Sequence, residues 1–221
     1  MRGSLVALAV GAVLLLASVL APPAARAGPT LRPVDEGPRN PSFAAFRHSL
    51  RAALARHDAD AVLAVVDSNI KTGFGGDDGI AAFERQWHPR SMDSPLWREL
   101  GATLALGGTF DAEGSFVAPY VYSKWPDAID AFENVAIIGS GVRVRARPSL
   151  DGKVVARLSY VIVPLVKGKL RSEDAGWTRV EYLPGRSGHV ASRFARSPVG
   201  YRAFFTQGAA GWRMVMFLAG D

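Results

Sequence analysis

The residues whose types and spacing could do chemistry fall into three sets. In the first, residues 73–79 read G-F-G-G-D-D-G and lie between an extended stretch and a helical one, where a phosphate loop would sit. Their spacing is G-x-G-x-x-x-G rather than G-x-G-x-x-G, and Asp77 and Asp78 would repel a phosphate from the following helix N-terminus. A turn with a helix cap is the better reading. The second set holds His48, His57 and His88 with Asp67, Glu84, Asp93 and Glu99, candidates for metal ligation or acid–base work. His48 and His57 are nine positions apart, which places them on opposite faces of one continuous helix. His88 precedes a proline at a helix end, and carboxylates on helix faces are mostly solvated. The chain has no G-x-x-x-x-G-K-[ST], G-x-S-x-G or H-E-x-x-H segment. No catalytic residue, metal or cofactor is assigned, and the expectation is a non-enzyme.

The third set is basic and aromatic. Arg143, Arg145 and Arg147 alternate with Val142, Val144 and Ala146, the pattern of a strand with one apolar face and one row of guanidinium groups. Further on, Trp177, Tyr182 and His189 offer ring faces and a titratable imidazole. These six residues are the candidate binding groove. The plainer alternative makes Trp177 and Tyr182 core residues and the arginines a solvated face. Tyr120, Tyr122 and Trp125 form a further aromatic group, of a kind found in carbohydrate sites and where domains pack; packing is the favoured role.

The elements that must hold these residues change character along the chain. Residues 28–41, with four prolines and two glycines, read as a flexible leader. Residues 42–134 read as a helix-rich α+β region. Ser42 is the expected N-cap of a helix carrying Phe43, Phe46, Leu50 and Leu54 at helical spacing. Asp58 caps a second helix, and Ile80, Phe83 and Trp87 mark a third. Ser94-Pro95 opens a fourth. A hairpin is expected around residues 111–114, and one or two helical turns over residues 127–134. Residues 135–196 read as short strands separated by glycine-bearing turns, the pattern of a small barrel. Residues 197–221 read as a hairpin apolar on both faces. Such a hairpin must be covered on both sides, so it is expected to pack on the N-terminal helices.

Three motifs carry a resemblance. Val144-Arg145 with Pro148, Gly176-Trp177 with Val180, and Gly188, Val190 and the following Ala-Ser occur in the order and spacing of the bacterial Src-homology-3 family (SH3b). The resemblance spans about 60 of the 221 residues. It implies an SH3-like β-barrel that binds peptidoglycan or proteins of the cell envelope. His189 stands where the family has its second tryptophan, which reduces the stacking surface. The helices and the closing hairpin resemble, more loosely, the nuclear-transport-factor-2-like cone, with the barrel inserted or appended. The expected fold class is therefore α+β.

Residues 1–27 have a positive start, an apolar run and an A-x-A cleavage pattern, and are expected to be a signal peptide that exports the protein to the periplasm or beyond. No second long apolar stretch follows, so no membrane span is expected after cleavage. The chain has no cysteine, which excludes disulfides and a cysteine nucleophile. Residues 28–135 hold 10 Lys and Arg against 15 Asp and Glu, and residues 136–221 hold 14 against 5. This asymmetry implies an anionic partner for the second half, or docking of the two halves on each other. Export argues against nucleic acid. The expected function is an exported binding protein whose partner is a cell-wall polymer or envelope protein. The alternative is an envelope hydrolase or ligand-pocket protein using the N-terminal region.

Overall fold

The computed structural model describes residues 28–166 and 175–220. The expected signal peptide and most of the polar loop expected over residues 167–175 lie outside the described residues. The fold is α+β.

Helix α1 (Pro41–Ala55) is capped two residues earlier than the sequence suggests. Asn40, not Ser42, accepts the Phe43 N–H at 3.1 Å, and the Ser42 hydroxyl donates back to Asn40. Pro41 then occupies the first helical position, where its missing N–H costs no hydrogen bond. Asp58 caps the short α2 (Ala59–Leu63), and β1 (Val66–Lys71) follows. The glycine-rich turn is closed on itself. Asp78 accepts the Thr72 N–H, the Asp77 carbonyl accepts the Thr72 hydroxyl, and the Asp77 carboxylate pairs with Arg85. It leads into α3 (Ile80–Trp87), and Ser94 caps α4 (Pro95–Ala105). The hairpin of β2 (Thr109–Phe110) and β3 (Phe116–Ala118) turns around Asp111, whose carboxylate takes the N–H groups of Glu113 and Ser115.

The next helical turn is α5 (Tyr120–Ser123), not residues 127–134. There Asp130 takes the N–H groups of Phe132 and Glu133, which bends the chain locally in place of a helix.

The last two strands, β11 (Arg202–Gly208) and β12 (Gly211–Leu218), lie inside a five-stranded sheet of order β1-β12-β11-β3-β2. β1 runs parallel to β12, and the other pairs are antiparallel. The helices cover one face of this sheet. Phe43 of α1 is the hub, with ring centroids 4.2 Å from Phe116, 4.9 Å from Trp212 and 5.8 Å from Phe205. Trp87, Tyr201 and Phe217 form a second group of rings. Rings fill the space between helices and sheet, and each aromatic buried there contributes on the order of 1.5–3 kcal/mol through removal from water.

Between α5 and β11 the chain makes an all-β module. Its strands are β4 (Asn134–Ile137), β5 (Val142–Arg145), β6 (Val154–Leu158), β7 (Ile162–Pro164), β8 (Trp177–Leu183), β9 (Arg186–Ala191) and β10 (Ala195–Arg196). They form a four-stranded sheet, β6-β5-β9-β8, and a three-stranded one, β10-β4-β7. A bridge between Leu165 and Val180 links the two, and Ile137, Val144, Leu158, Val163, Val180 and Val190 share one core between them. Among the described residues the pairing does not close into a ring. The chain turns a corner between β4 and β5 at residues 139–141, where Gly141 has φ +62°.

The expected flexible leader is docked. Its prolines lack donors, yet several of its other backbone groups find partners on both sides. The Ile162 N–H donates to the Pro29 carbonyl, the Leu31 N–H to Tyr160 and the Glu36 N–H to Gly108. Asp35 holds Arg47 of α1 through two contacts of 2.6 and 2.9 Å. Burial opposes ionisation of Asp35, but Arg47, the Gly37 N–H and nearby Arg51 outweigh it, and the carboxyl titrates below its ordinary range. Leu31 joins Tyr120, Val121, Ala136 and Ile162 in a third core, which glues leader, α5 and module together. Arg196 adds a polar tie, donating to the Tyr201 carbonyl at 2.6 Å. Burial lowers the pKa of Arg196, with Glu99 acting against it.

Candidate binding surfaces

The strand order of the four-stranded sheet decides which of the predicted site residues meet. On β8, Trp177, Arg179 and Glu181 alternate with Val180 and Tyr182. Arg179 lies directly opposite His189 of β9, and His189 lies opposite Arg145 of β5. Arg143 of β5 lies opposite Arg157 of β6. One outer face therefore carries Arg143, Arg157, Arg179 and His189, with half-buried Trp177 at its end opposite Ala191. Arg147 and Arg186 are exposed in the chain beyond β5 and at the start of β9.

Two of the six predicted residues do other work. Tyr182 is 8% exposed and belongs to the module core. It stands two positions after Val180, and the strand alternation turns both to the core face. Arg145 is 9% exposed, covered by the β5–β6 turn, and its Nη1 donates to the Gly152 carbonyl at 2.7 Å. The shift in β5–β6 pairing between Val144 and Arg145 takes Arg145 out of the regular row. Trp177, Arg143, Arg147 and His189 remain available at the surface, without Tyr182 in a shared groove.

Arg157 and Arg179 are surface residues that sequence reading missed. Each alternates with core residues just as Arg143 does, so the signal was present in β6 and β8. Placing them beside Arg143 and His189 required the pairing of strands distant in sequence.

Among the described residues, Arg143, Arg157 and Arg179 on this face are exposed. Among the described residues the ion pairs of the acidic half are internal to it: Asp35–Arg47, Glu36–Arg39, Asp58–Arg56, Asp60–Arg90, Asp77–Arg85 and Glu99–Arg98. Among the described residues no carboxylate pairs with Arg143, Arg147, Arg157, Arg179 or Arg186. Arg143 and Arg157 stand side by side with like charge, an arrangement that destabilises a sheet unless an anion meets it.

Of the other candidates, His57 and Asp93 line one cavity beside α1 and α4, which His48, Asp67, Glu84, His88 and Glu99 do not line. His57, at φ +53°, stacks on Trp97 with centroids 5.0 Å apart and planes 6° from parallel. His88, at φ +45°, ends α3. No group of three His, Asp or Glu side chains is placed to hold a metal ion among the described residues. None of the described helices is long and apolar enough to cross a membrane. Comparison with protein-family models, curated proteins and solved structures returns no match for this chain.

Proposed function

We propose that this is an exported binding protein whose SH3-like module attaches it to an anionic polymer of the cell envelope, a carboxylate- or phosphate-bearing wall polymer. The observation that carries this reading is the exposed row Arg143, Arg157 and Arg179, beside the half-buried His189 and free of carboxylate partners among the described residues. A polymer supplies many anions at a fixed repeat. Guanidinium groups spaced across adjacent strands bind such a chain through several charge-assisted hydrogen bonds at once. The motifs around Val144, Trp177 and Gly188 and the export pattern of residues 1–27 support the same compartment and role.

The ring-filled core argues against a ligand pocket between the helices and the sheet, because Phe43, Phe116 and Phe205 leave no exposed surface there. The test is co-sedimentation of the protein with purified cell-wall sacculi across a salt series. Retention at low ionic strength that falls as salt screens the arginines supports the proposal. A protein that stays in the supernatant even at low salt overturns it.

A further inference from the structure

Where the module joins the helix–sheet unit there is a cleft of about 600 Å³, on the side of the five-stranded sheet turned away from the helices. Its size falls within the range of small-molecule sites. Val117 and Phe204, directly opposite each other on β3 and β11, form part of its floor and alternate with the core-facing Phe116, Ala118 and Phe205. The segment from α5 forms one wall, with Tyr122, Ser123, Lys124 and Trp125.

The informative residue is Arg202, which also lines the cleft. It is 5% exposed, yet no carboxylate pairs with it among the described residues. Its Nη1 donates to the Gly220 carbonyl at 2.8 Å, and its Nε is buried without a hydrogen-bond partner. Its charge rests against rings instead, 4.8 Å from the Tyr122 centroid and 5.7 Å from that of Phe74. Among the described residues, a buried cation held this way has no anion to satisfy it. The Ser123 hydroxyl, also lining the cleft, is likewise buried with no partner.

The described carboxylates that line the cleft do not supply that anion. Glu36 pairs with Arg39 and accepts the Phe110 N–H, and Asp111 is engaged by its own turn. Asp127 is exposed and offers acceptors at the rim, opposite in sign to Lys124 three residues earlier. The site thus combines a buried guanidinium, a second cation, a partly exposed tyrosine ring and free polar groups. A compound with one carboxylate and a hydroxyl-bearing ring matches all four: the carboxylate meets Arg202 and Lys124, the hydroxyls meet Ser123 and Asp127, and the ring face lies on Tyr122.

We propose that the junction cleft binds a small sugar acid, anchored by Arg202 and Lys124 and stacked on Tyr122. The site is separate from the basic face of the module and stands independently of it.

Calorimetric titration of the full chain with D-glucuronate, D-glucose and benzoate tests this. Glucuronate is expected to bind at least about tenfold more tightly than either comparator, which lack the charge or the hydroxyls respectively. Arg202→Gln should abolish binding, and the surface substitutions Lys124→Gln and Tyr122→Ala should each weaken it about fivefold or more. The latter two keep the test valid should Arg202→Gln not fold. Arg143→Gln with Arg157→Gln should leave glucuronate binding unchanged while removing wall retention, so the two sites fail separately. Absence of glucuronate binding overturns the proposal, as does glucose or benzoate binding equally well, or affinity indifferent to Lys124→Gln and Tyr122→Ala.

Discussion

Arg143 and Arg145 are two positions apart on the same strand and have opposite fates. Arg143 is exposed, whereas Arg145 closes the β5–β6 turn through the Gly152 carbonyl. Arg145→Met should therefore destabilise the fold by about 1.5–3 kcal/mol, the range for a hydrogen bond to a charged group, as measured by urea unfolding. Arg143→Gln should change stability by less than about 0.5 kcal/mol. Tyr120 gives a second test at this scale. Its side chain is fully buried, its hydroxyl has no partner, and burial, with a smaller effect of Tyr160, pushes its pKa up to about 12. Tyr120→Phe should be neutral or stabilising by up to ~1 kcal/mol, because the lost hydroxyl made no bond. The folded-state pKa lies above the unfolded value of about 10, so the stability associated with the neutral phenol is intact below pH ~10 and declines as pH rises towards 12. Urea midpoints compared at about pH 8 and pH 11 should show this decline in the parent and less of it in the Phe variant. Equal pH dependence in both would refute the assignment.

At the scale of elements, periodicity in the sequence located most helices and strands, because each buries one face. Phe43, Leu50 and Leu54 do so on α1, and Val142 and Val144 on β5. What sequence left open came from partners far along the chain. The leader looks unstructured by composition, but its order comes from β7, the loop before β2, and Arg47. Asp35→Asn leaves Arg47 without its counter-ion. Removing one partner of a buried pair costs about 3–5 kcal/mol, and the 41% exposure of the Asp35 side chain reduces this to about 1–2 kcal/mol near neutral pH. The Asp35 carboxyl titrates lower in the folded state, so this stabilisation is present above the unfolded pKa of about 4 and is lost as pH falls through the folded value. The gap in stability between parent and Asp35→Asn, followed by chemical denaturation, should narrow on acidification. Close approach of β5 and β9 gives another element-scale test. A Cβ on Gly188 would meet Val144 at 2.6 Å and the Arg145 carbonyl at 3.0 Å. Gly188→Ala should cost about 1–3 kcal/mol by overpacking, read as a lowered thermal midpoint.

For the whole molecule, charge separates the two units while packing unites them. The ion pairs of the acidic half join its own helices and loops, and among the described residues none of its carboxylates meets the arginine face of the module. The sequence showed the charge asymmetry and the row beginning at Arg143. It could not show that Arg157 and Arg179 extend the row or that Arg145 leaves it, since both depend on strand pairing, whereas alternation with Val180 places Tyr182 in the core. The third core around Tyr120 and Ile162 holds the basic face in a fixed orientation to the rest of the chain. The central claim is that this face binds the anionic envelope. The most direct measurement compares the parent protein with an Arg143→Gln, Arg157→Gln, Arg179→Gln variant in co-sedimentation with purified sacculi at low ionic strength, after circular dichroism has shown both to be folded. The account predicts retention of the parent and loss of most of that retention in the variant. Equal retention of the two proteins would contradict it.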